Sequence, residues 1–325
     1  MNALAARERT DAVGKPRVGF IVGPTGAGKT AIAIAVAERL GAEIVNADSR
    51  QVYRGMDLGT AKPSPAERRR VAHHLIDIRS PDRPIDVAEF ARLAREQVAE
   101  INARGRPVVI VGGSGLYVRA MREGIFAGPP ASIALRTELM AFAAQHGTPV
   151  LHRRLARIDD CAAAAISPND LKRIVRALEV FELTGIPLSA HHAGHRFADR
   201  PYLTLTVGLT LPREQLYAAI DQRFDQMIEG GFVEEVRGLL DGGNAGPALA
   251  ATIGYREIAE FIEGRIDLAT AIARAKRESR RLAKRQLTWF RADSEIKWLE
   301  ARGAAPAALK LFGDFFSTER IGTDA

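Results

Sequence analysis

The feature that most constrains this chain is a complete G-x-x-x-x-G-K-T motif between a strand-like run and a helix-like run. The motif reads GPTGAGKT; VGFIVG leads into it and AIAIAVAERLG follows it. In this context the glycines let backbone N–H groups turn inward around phosphate oxygens, and the helix N-terminus adds partial positive charge. The motif predicts an α/β, nucleotide-binding type of fold with a P-loop that holds a di- or triphosphate.

The residues of the P-loop have separate expected roles. Lys29 is placed to neutralise a terminal phosphate, and the Thr30 hydroxyl is a ligand for Mg²⁺. The predicted phosphate-binding residues are Gly23, Pro24, Thr25, Gly26, Ala27, Gly28, Lys29 and Thr30. An ATP-hydrolysing enzyme normally has an apolar strand that ends in Asp, but VVIV ends in glycines and Asp77 is a weaker candidate. The sequence therefore disfavours an ATPase without excluding that function.

Strand-like and helix-like segments alternate along much of the chain. The strand-like segments are 18–23, 43–48, 73–78, 107–113 and 202–211. This alternation predicts a P-loop NTPase-like α/β core with a mainly parallel sheet of about five strands. We expect residues 16–121 and 200–295 to form this core, 122–199 to form a helical insertion, and 296–325 to be a tail.

The charge balance favours an anionic partner. Lys and Arg number 46 against 39 for Asp and Glu, a formal charge of +7, which suits a phosphate-bearing ligand or nucleic acid, although a generally basic proteome would explain it too. Apolar runs of about 18 residues are absent, and the first 15 residues lack the apolar core of a signal peptide. We expect a cytoplasmic protein that does not bind membranes.

Asp48 follows the second predicted strand. It lies at the carboxyl edge of the sheet, where open α/β folds bind their ligands, and so it faces the P-loop. Three roles are open for its carboxylate: a Mg²⁺ ligand, a general base, or a cap for the following turn. The residues themselves do not separate these roles.

The motifs as a set resemble the tRNA dimethylallyltransferase family, also called IPP transferases. GPTGAGKT followed by NADSRQVYRGMDLGTAKP is similar to the opening signature of that family. Successive family blocks resemble HHLIDI, VGGSGLY, SPNDLKRIVRALEVFELTG, RFDQMIEGGFVEEV, TIGYRE and AKRQLTWFR, over roughly residues 17–291. One departure is Ser114, where the family more often has threonine; the hydroxyl is kept.

The resemblance implies a reaction and roles for four residues. A dimethylallyl group would pass from dimethylallyl diphosphate to N6 of the adenosine 3′ of the tRNA anticodon, giving i6A and releasing diphosphate. Asp48 would accept the N6 proton, Arg223 and Lys29 would hold the diphosphate, and Thr30 would bind Mg²⁺. The partners would be dimethylallyl diphosphate and the tRNA anticodon stem-loop, and we expect the enzyme to act as a monomer.

The RNA-contacting segments of the family map onto several parts of the chain. The implied tRNA-binding residues are Asp48, Ser49, Arg50, Gln51, Ser114, Arg136, Lys172, Arg173, Ile174, Val175, Arg176, Thr252, Gly254, Tyr255, Arg256, Lys284, Arg285, Gln286 and Arg291. Independently of the family, a stripe of cations recurs at helical spacing at Arg274, Arg277, Arg281, Lys284 and Arg285. Such a stripe suits a phosphate backbone, and a solvated charged face is the alternative.

Two aromatic residues end this basic segment. Trp289 and Phe290 could stack on a base, but aromatic residues at the end of a helix are more often core, and we expect core here. The histidines have no matching Cys or Glu spacing, so a zinc site is not expected.

Three other functions compete with the tRNA-modifying one. An adenylate-type isopentenyltransferase would use the same chemistry on a free nucleotide, but the predicted insertion and basic stripe favour RNA. A kinase of a small metabolite would use the P-loop for ATP and Asp48 to activate a hydroxyl. A non-enzymatic RNA-binding regulator that senses nucleotides is the third.

Overall fold

A computed structural model describes residues 14–126, 128–195, 200–243 and 246–317. The chain divides into two units. Glu123–Arg200 forms the smaller unit, and the segments Met1–Arg122 and Pro201–Ala325 form the larger one. The larger unit is therefore discontinuous in sequence, and the smaller one is an insertion in it.

The larger unit contains one parallel sheet. Its strands are β1 (Arg17–Val22), β2 (Glu43–Asn46), β3 (His73–His74), β4 (Val108–Gly112), β5 (Leu203–Thr210) and β6 (Lys297–Glu300). The order across the sheet is β3-β2-β4-β1-β5-β6, and all pairs are parallel. Central β1 is paired on both sides, with Phe20 beside Ile110 of β4 and Thr206 of β5. The predicted α/β fold with a parallel sheet is confirmed.

The other regular elements of the described chain are helices. Before the insertion these are α1 (Lys29–Leu40), α2 (Pro65–Arg70), α3 (Val87–Ala103) and α4 (Gly115–Glu123). The insertion contributes α5 (Ile133–His146), α6 (Thr148–Ile158), α7 (Asp160–Ala165), α8 (Leu171–Thr184) and α9 (Leu188–His195). After it come α10 (Arg213–Glu229), α11 (Phe232–Asp241), α12 (Pro247–Ala250), α13 (Tyr255–Ile262), α14 (Leu268–Arg291) and α15 (Ala304–Ser317). Among the described residues, no helix has both the length and the apolar character needed to cross a membrane.

Local signals in the sequence fix several helix ends. The Asp86 carboxylate begins α3 by accepting hydrogen bonds from the backbone N–H groups of Ala88 and Glu89, as N-cap residues do. Gly41 ends α1 in the left-handed conformation, with its N–H donated to the Ala37 carbonyl. The Gly41 cap fixes the C-terminal end of α1, the helix that begins at Lys29 in the P-loop.

The central strands β1 and β4 are buried on both faces of the sheet, so they are nearly continuous apolar runs. Phe20, Val45 and Ile110 pack into one apolar cluster, together with residues of α3 and α10 to α14. Ile21 and Val109 face the opposite cluster, which includes residues of α1 and α15. Cover on both faces leaves the carboxyl edge of the strands as the place for a site.

The prediction that 296–325 is a tail is wrong for its described part. Residues 297–300 form the sixth strand, and α15 packs on the sheet with Phe312 fully buried. Gly19 permits this contact, because a Cβ atom there would lie 2.6 Å from the Phe312 ring. A four-residue strand carries too little periodicity to be recognised in sequence, which also explains the expected strand count of five.

The insertion unit has its own apolar core. Helices α5, α6 and α8 contribute Leu139, Leu151, Leu155, Ile174 and Leu178, each almost completely buried. This separate core is why a largely helical segment forms a unit of its own.

Candidate active site

The P-loop joins β1 to α1 with a backbone that requires glycine at two positions. Gly23 has φ 142°, and a Cβ atom there would lie 2.5 Å from the Leu209 carbonyl oxygen. Gly26 has φ 85°, and a Cβ atom there would lie 2.8 Å from Ile220. Both the positive φ and the close approach exclude larger residues. The loop therefore fits tightly between β5 and α10.

Lys29 extends back over the P-loop. Its Nζ donates a hydrogen bond to the Pro24 carbonyl oxygen at 2.8 Å. Burial lowers the pKa of Lys29, the Asp48 carboxylate opposes this effect, and the nearby Arg223 guanidinium adds to it; together they give a pKa of about 8. A buried ammonium next to a neutral carbonyl gains from the arrival of an anion.

Arg223 is a second cation at the same place, supplied by α10. Its Nη2 donates a short hydrogen bond to the Thr25 hydroxyl of the P-loop. Burial lowers the pKa of Arg223 as well, and the Asp48 carboxylate opposes the effect. The structure thus brings Lys29, Arg223 and Asp48 together, as their implied roles require.

Asp48 is held in place mainly through its backbone. Its N–H donates to Asn46 Oδ1 at 3.0 Å, and Asn46 Nδ2 donates to the carbonyl oxygens of Asp48 and Leu75 at 3.2 and 3.1 Å. Asp48 Oδ1 accepts a hydrogen bond of 2.8 Å from the Arg50 N–H, so the turn-capping role is real. A carboxylate has a second oxygen, so the cap is compatible with chemistry at Oδ2.

Two cavities meet beside Asp48. The P-loop cavity, of about 310 Å³, is lined by P-loop residues including Lys29 and Thr30 and by residues 60–63. The side cavity, of about 520 Å³, is lined mainly by residues from 48–50, 113–116, 251–256 and 278–289. Five residues line both cavities: Thr25, Asp48, Thr60, Arg223 and Gln286. A ligand in each cavity would meet the other at these shared residues.

Gln286 connects the segments that build this junction. Its Oε1 accepts a hydrogen bond of 2.8 Å from the Thr25 N–H, and its Nε2 donates to the Gly113 carbonyl oxygen at 2.9 Å. The sequence implied an RNA contact for Gln286 and gave no sign of this bridge, which spans 261 residues of sequence. Next to it, Ser114 Oγ accepts from the Ser49 N–H at 3.0 Å, which fixes the backbone after Asp48.

Other implied RNA contacts in the larger unit gather around the side cavity. Its lining includes Ser49, Arg50, Ser114, Thr252, Arg256 and Arg285. Gln51 instead lines the P-loop cavity and donates to the carbonyl oxygens of Thr60 and Ala61. Gly254 is the N-cap of α13, and Arg291 is exposed at the end of α14.

Three of the implied RNA contacts are apolar or aromatic side chains that lie in the core. Tyr255 and Ile174 are fully buried and Val175 is 5% exposed. The Tyr255 ring packs edge-on against Phe232, and its hydroxyl donates to Glu235. Residues of helices that face inward at the helical period are packing residues. Their exposed neighbours are the ones that are able to touch RNA.

Within the insertion unit, two of the implied contacts are already bound to a carboxylate. Arg136 donates to both Glu179 carboxylate oxygens at 2.8 and 2.9 Å, and Arg176 donates to one at 2.6 Å. Burial would raise the pKa of Glu179, but these hydrogen bonds and the Ser132 N–H hold it below its usual value. Lys172, on the same helix as Arg176, is exposed, and so is Arg173.

Trp289 and Phe290 at the end of α14 were both expected in the core, and this is correct for Phe290 only. Phe290 is 2% exposed, whereas Trp289 is 46% exposed and lines the side cavity. Asp77, the weaker candidate for an ATPase carboxylate, is bound to Lys62 and Arg68 at 2.5 and 2.8 Å and is absent from the described lining of both cavities. The geometry gives Asp77 a structural role.

Comparison with known proteins gives consistent matches. The family model described as IPP transferase matches residues 51–293. A tRNA dimethylallyltransferase of Geobacter metallireducens is 50% identical over 303 residues, which are 93% of this chain and 98% of that protein. A full-length tRNA isopentenylpyrophosphate transferase of Bacillus halodurans is 40% identical with a TM-score of 0.69, covering 93% of this chain and 97% of that one. A eukaryotic dimethylallyltransferase acting on tRNA, 24% identical with a TM-score of 0.76 and covering 95% of this chain and 81% of that one, shares the fold.

Proposed function

The chain belongs to the IPP transferase family, and from that premise we propose that it transfers a dimethylallyl group from dimethylallyl diphosphate to tRNA. The acceptor is N6 of the adenosine 3′ of the anticodon, and diphosphate is released. The observation that carries this proposal is the junction of two cavities at Asp48, Thr25 and Arg223. A diphosphate ester in one cavity and an adenine in the other would meet at one carboxylate.

The P-loop side assists the leaving group. In the reaction the bond between the allylic carbon and the diphosphate oxygen breaks, the carbon bonds to N6, and the electron pair stays on diphosphate. Lys29 and Arg223 lie at this cavity as desolvated cations, so they stabilise the negative charge that develops on the diphosphate. The P-loop N–H groups act in the same direction.

The Asp48 side assists the nucleophile. An adenine amino group is a poor nucleophile, and its nitrogen gains positive charge as the new bond forms. Asp48 lines the cavity junction, and its backbone is fixed by Asn46, so its carboxylate accepts the N6 proton as a general base. The cap to Arg50 N–H restricts rotation of the carboxylate.

The P-loop cavity fits a Mg²⁺ ion bound together with a diphosphate. Mg²⁺ commonly takes one or two protein oxygens and completes its shell with phosphate oxygens and water, and the Thr30 hydroxyl lines the cavity. Among the described residues there is no cluster of three or more His, Cys, Asp or Glu side chains that would hold a metal by itself. We therefore assign the ion to Thr30 and the diphosphate; when bound, it adds charge neutralisation to that of Lys29.

The surroundings of the side cavity favour RNA over a free nucleotide as acceptor. An adjoining open depression of about 440 Å³ is lined by Arg281, Lys284, Arg285, Thr288 and Trp289. We call it the cationic depression; a free nucleotide in the side cavity would leave Arg281 and Lys284 unused, whereas a polynucleotide would extend across them. Both cavities are built by one chain, which supports action as a monomer, and we place the enzyme with its tRNA substrate in the cytoplasm.

One assay tests the proposal against its rivals. The protein, Mg²⁺ and dimethylallyl diphosphate labelled in the prenyl group are incubated with tRNA, with AMP, or without an acceptor. We expect label in tRNA alone, and in the adenosine 3′ of the anticodon after digestion. Label in AMP would indicate the adenylate-type enzyme, and no label in either acceptor would overturn the prenyltransferase assignment and favour the kinase or the regulator.

A further inference from the structure

Trp289 is a large aromatic side chain that the fold holds in a half-exposed position. It lies in the last turn of α14 and is 46% exposed, next to Phe290, which is 2% exposed. Its ring rests on the backbone of Gly115, because a Cβ atom there would lie 2.3 Å from the ring carbon Cδ1. The glycine of the VGGSGLY segment thus creates the seat for the indole ring.

The ring borders two concave surfaces. It lines the side cavity, whose lining also includes Asp48, and it lines the cationic depression. Arg285 borders both surfaces as well, and Arg281 and Lys284 are exposed in the depression. Sequence-tolerant sites for unpaired nucleic acid combine an aromatic face for a base with cations for the backbone, and this rim has both.

From this arrangement, and resting on the proposed function, we propose that Trp289 is a stacking platform for an unpaired base of the acceptor RNA at the mouth of the side cavity. The reacting adenine must leave its stack to reach Asp48. Its departure deprives the neighbouring base of one stacking partner. The Trp289 ring at the rim takes the place of the departed adenine. The adjacent base therefore stacks on Trp289, and the reacting adenine lies deeper in the cavity.

Fluorescence reports on the platform directly, since the chain has two tryptophans. Trp298 is half-buried in β6, so Trp298→Phe leaves Trp289 as the single reporter and serves as the parent for all variants. This protein is titrated with an anticodon stem-loop RNA. We expect the emission to be quenched on binding. Unchanged emission at saturating RNA would overturn the proposal.

Three RNA variants identify the base that stacks. An RNA that is abasic at the reacting position should still quench Trp289, whereas RNAs abasic at either adjacent position should lose the quenching at one of those two positions. Loss of quenching with the first RNA alone would mean that the reacting adenine itself occupies the platform, which overturns the assignment to the neighbour.

Affinity gives a second test. In the Trp298→Phe parent, Trp289→Ala should weaken binding of the stem-loop by roughly 5- to 150-fold, the range found for removal of one base-stacking aromatic. Trp289→Phe keeps an aromatic face and should recover most of this loss. Equal losses in the two variants would indicate a packing role, and no loss in either would mean that no base of the RNA stacks on Trp289.

The results for Trp289 can be distinguished from the result of the labelling assay that tests the proposed function. If wild-type protein transfers label to tRNA but Trp289 neither quenches nor affects affinity, the platform is wrong and the transferase assignment stands. If Trp289 quenches and no acceptor is labelled, the platform stands as an RNA-binding feature and the transferase assignment is wrong.

Discussion

The P-loop cavity and the insertion unit both contain basic side chains at buried or half-buried positions, and they use them in opposite ways. At the P-loop, Lys29 and Arg223 donate to neutral oxygens, a backbone carbonyl and a hydroxyl. In the insertion, Arg136 and Arg176 donate to the carboxylate of Glu179, which is fully buried. The first pair is held ready for an anion, and the second pair already has one.

The difference shows why a cation in a sequence does not by itself mark a binding site. Desolvation lowers the pKa of Lys29 and Arg223 because the nearby Asp48 carboxylate compensates for burial only in part. Glu179 instead acquires a pKa below its usual value from the two guanidinium groups. Loss of charge should therefore impair chemistry at the P-loop and stability in the insertion.

The largest expected effect is that of Asp48→Asn. The amide keeps the shape of the side chain and its capping oxygen but cannot accept a proton at neutral pH. Positioned proton transfer contributes ~10²–10⁴-fold to rate, so the single-turnover rate should fall by that factor while the affinities for tRNA and dimethylallyl diphosphate change much less. Rates are measured across a Mg²⁺ titration. A variant restored to near wild-type speed by excess Mg²⁺ would show Asp48 to be a metal ligand instead.

Lys29→Ala should lower turnover by about 10²–10³-fold, the cost of removing one donor to a developing anion. Binding of tRNA, measured by filter binding, should stay within a few-fold, since Lys29 lines the P-loop cavity and is absent from the described lining of the side cavity. Parallel loss of tRNA affinity would mean that the P-loop has a structural role in RNA docking.

The pKa of Lys29 predicts a pH dependence of diphosphate binding in the wild-type protein that Lys29→Ala should lack. Since the pKa is lowered to about 8 and a bound diphosphate favours the charged ammonium, affinity for inorganic diphosphate should be constant below about pH 8 and weaken above it. Titration calorimetry at fixed Mg²⁺ between pH 7 and 9.5 measures this. The decline should be absent from Lys29→Ala; an equal decline there would assign it to another group.

The two regions also differ in how much of them the sequence predicts. The P-loop and Asp48 are short-range features, placed by one motif and by the end of one strand, and the structure has them where they were expected. The Glu179 pairing, the Gln286 bridge and the exposure of Trp289 depend on contacts between distant segments. Periodicity specifies which face of a helix is buried but leaves the partner of a polar side chain open.

Glu179→Gln should act on the insertion unit alone. It leaves guanidinium donors of Arg136 and Arg176 without their carboxylate, and a buried hydrogen-bonding defect costs about 1–3 kcal/mol. Hydrogen exchange of amides in α5 and α8 should show a corresponding loss of protection at pH 7. Because the pKa of Glu179 is below its usual 4.5 when folded, its contribution is complete above pH 4.5 and declines as the pH falls below that value.

Two observations check this prediction. The gap in protection between wild type and Glu179→Gln should narrow at pH values below 4.5, where the wild-type carboxylate becomes protonated. Glu138 is exposed on α5, the helix that carries Arg136, so Glu138→Gln is the matched control and should leave protection unchanged. A gap that is independent of pH would attribute the loss to altered packing rather than to charge.

The smallest expected effect concerns the cations on α14. They are intermediate between the P-loop cations, which donate to neutral oxygens, and the insertion arginines, which donate to a carboxylate. Arg281 donates to Glu278 at 2.7 Å, and the nearest contact of Arg277 with Glu278 is 3.8 Å. Each phosphate contact contributes about 0.7–0.9 to the log–log dependence of RNA affinity on salt. Lys284→Ala should therefore reduce the slope by about that amount. Arg281→Ala and Arg277→Ala should each reduce the slope by less, because these guanidinium groups are already close to a carboxylate.

The three slopes are measured by filter binding of tRNA at salt concentrations from roughly 50 to 300 mM. Equal reductions would mean that RNA displaces Glu278, and an unchanged slope in all three variants would mean that the stripe is a solvated face.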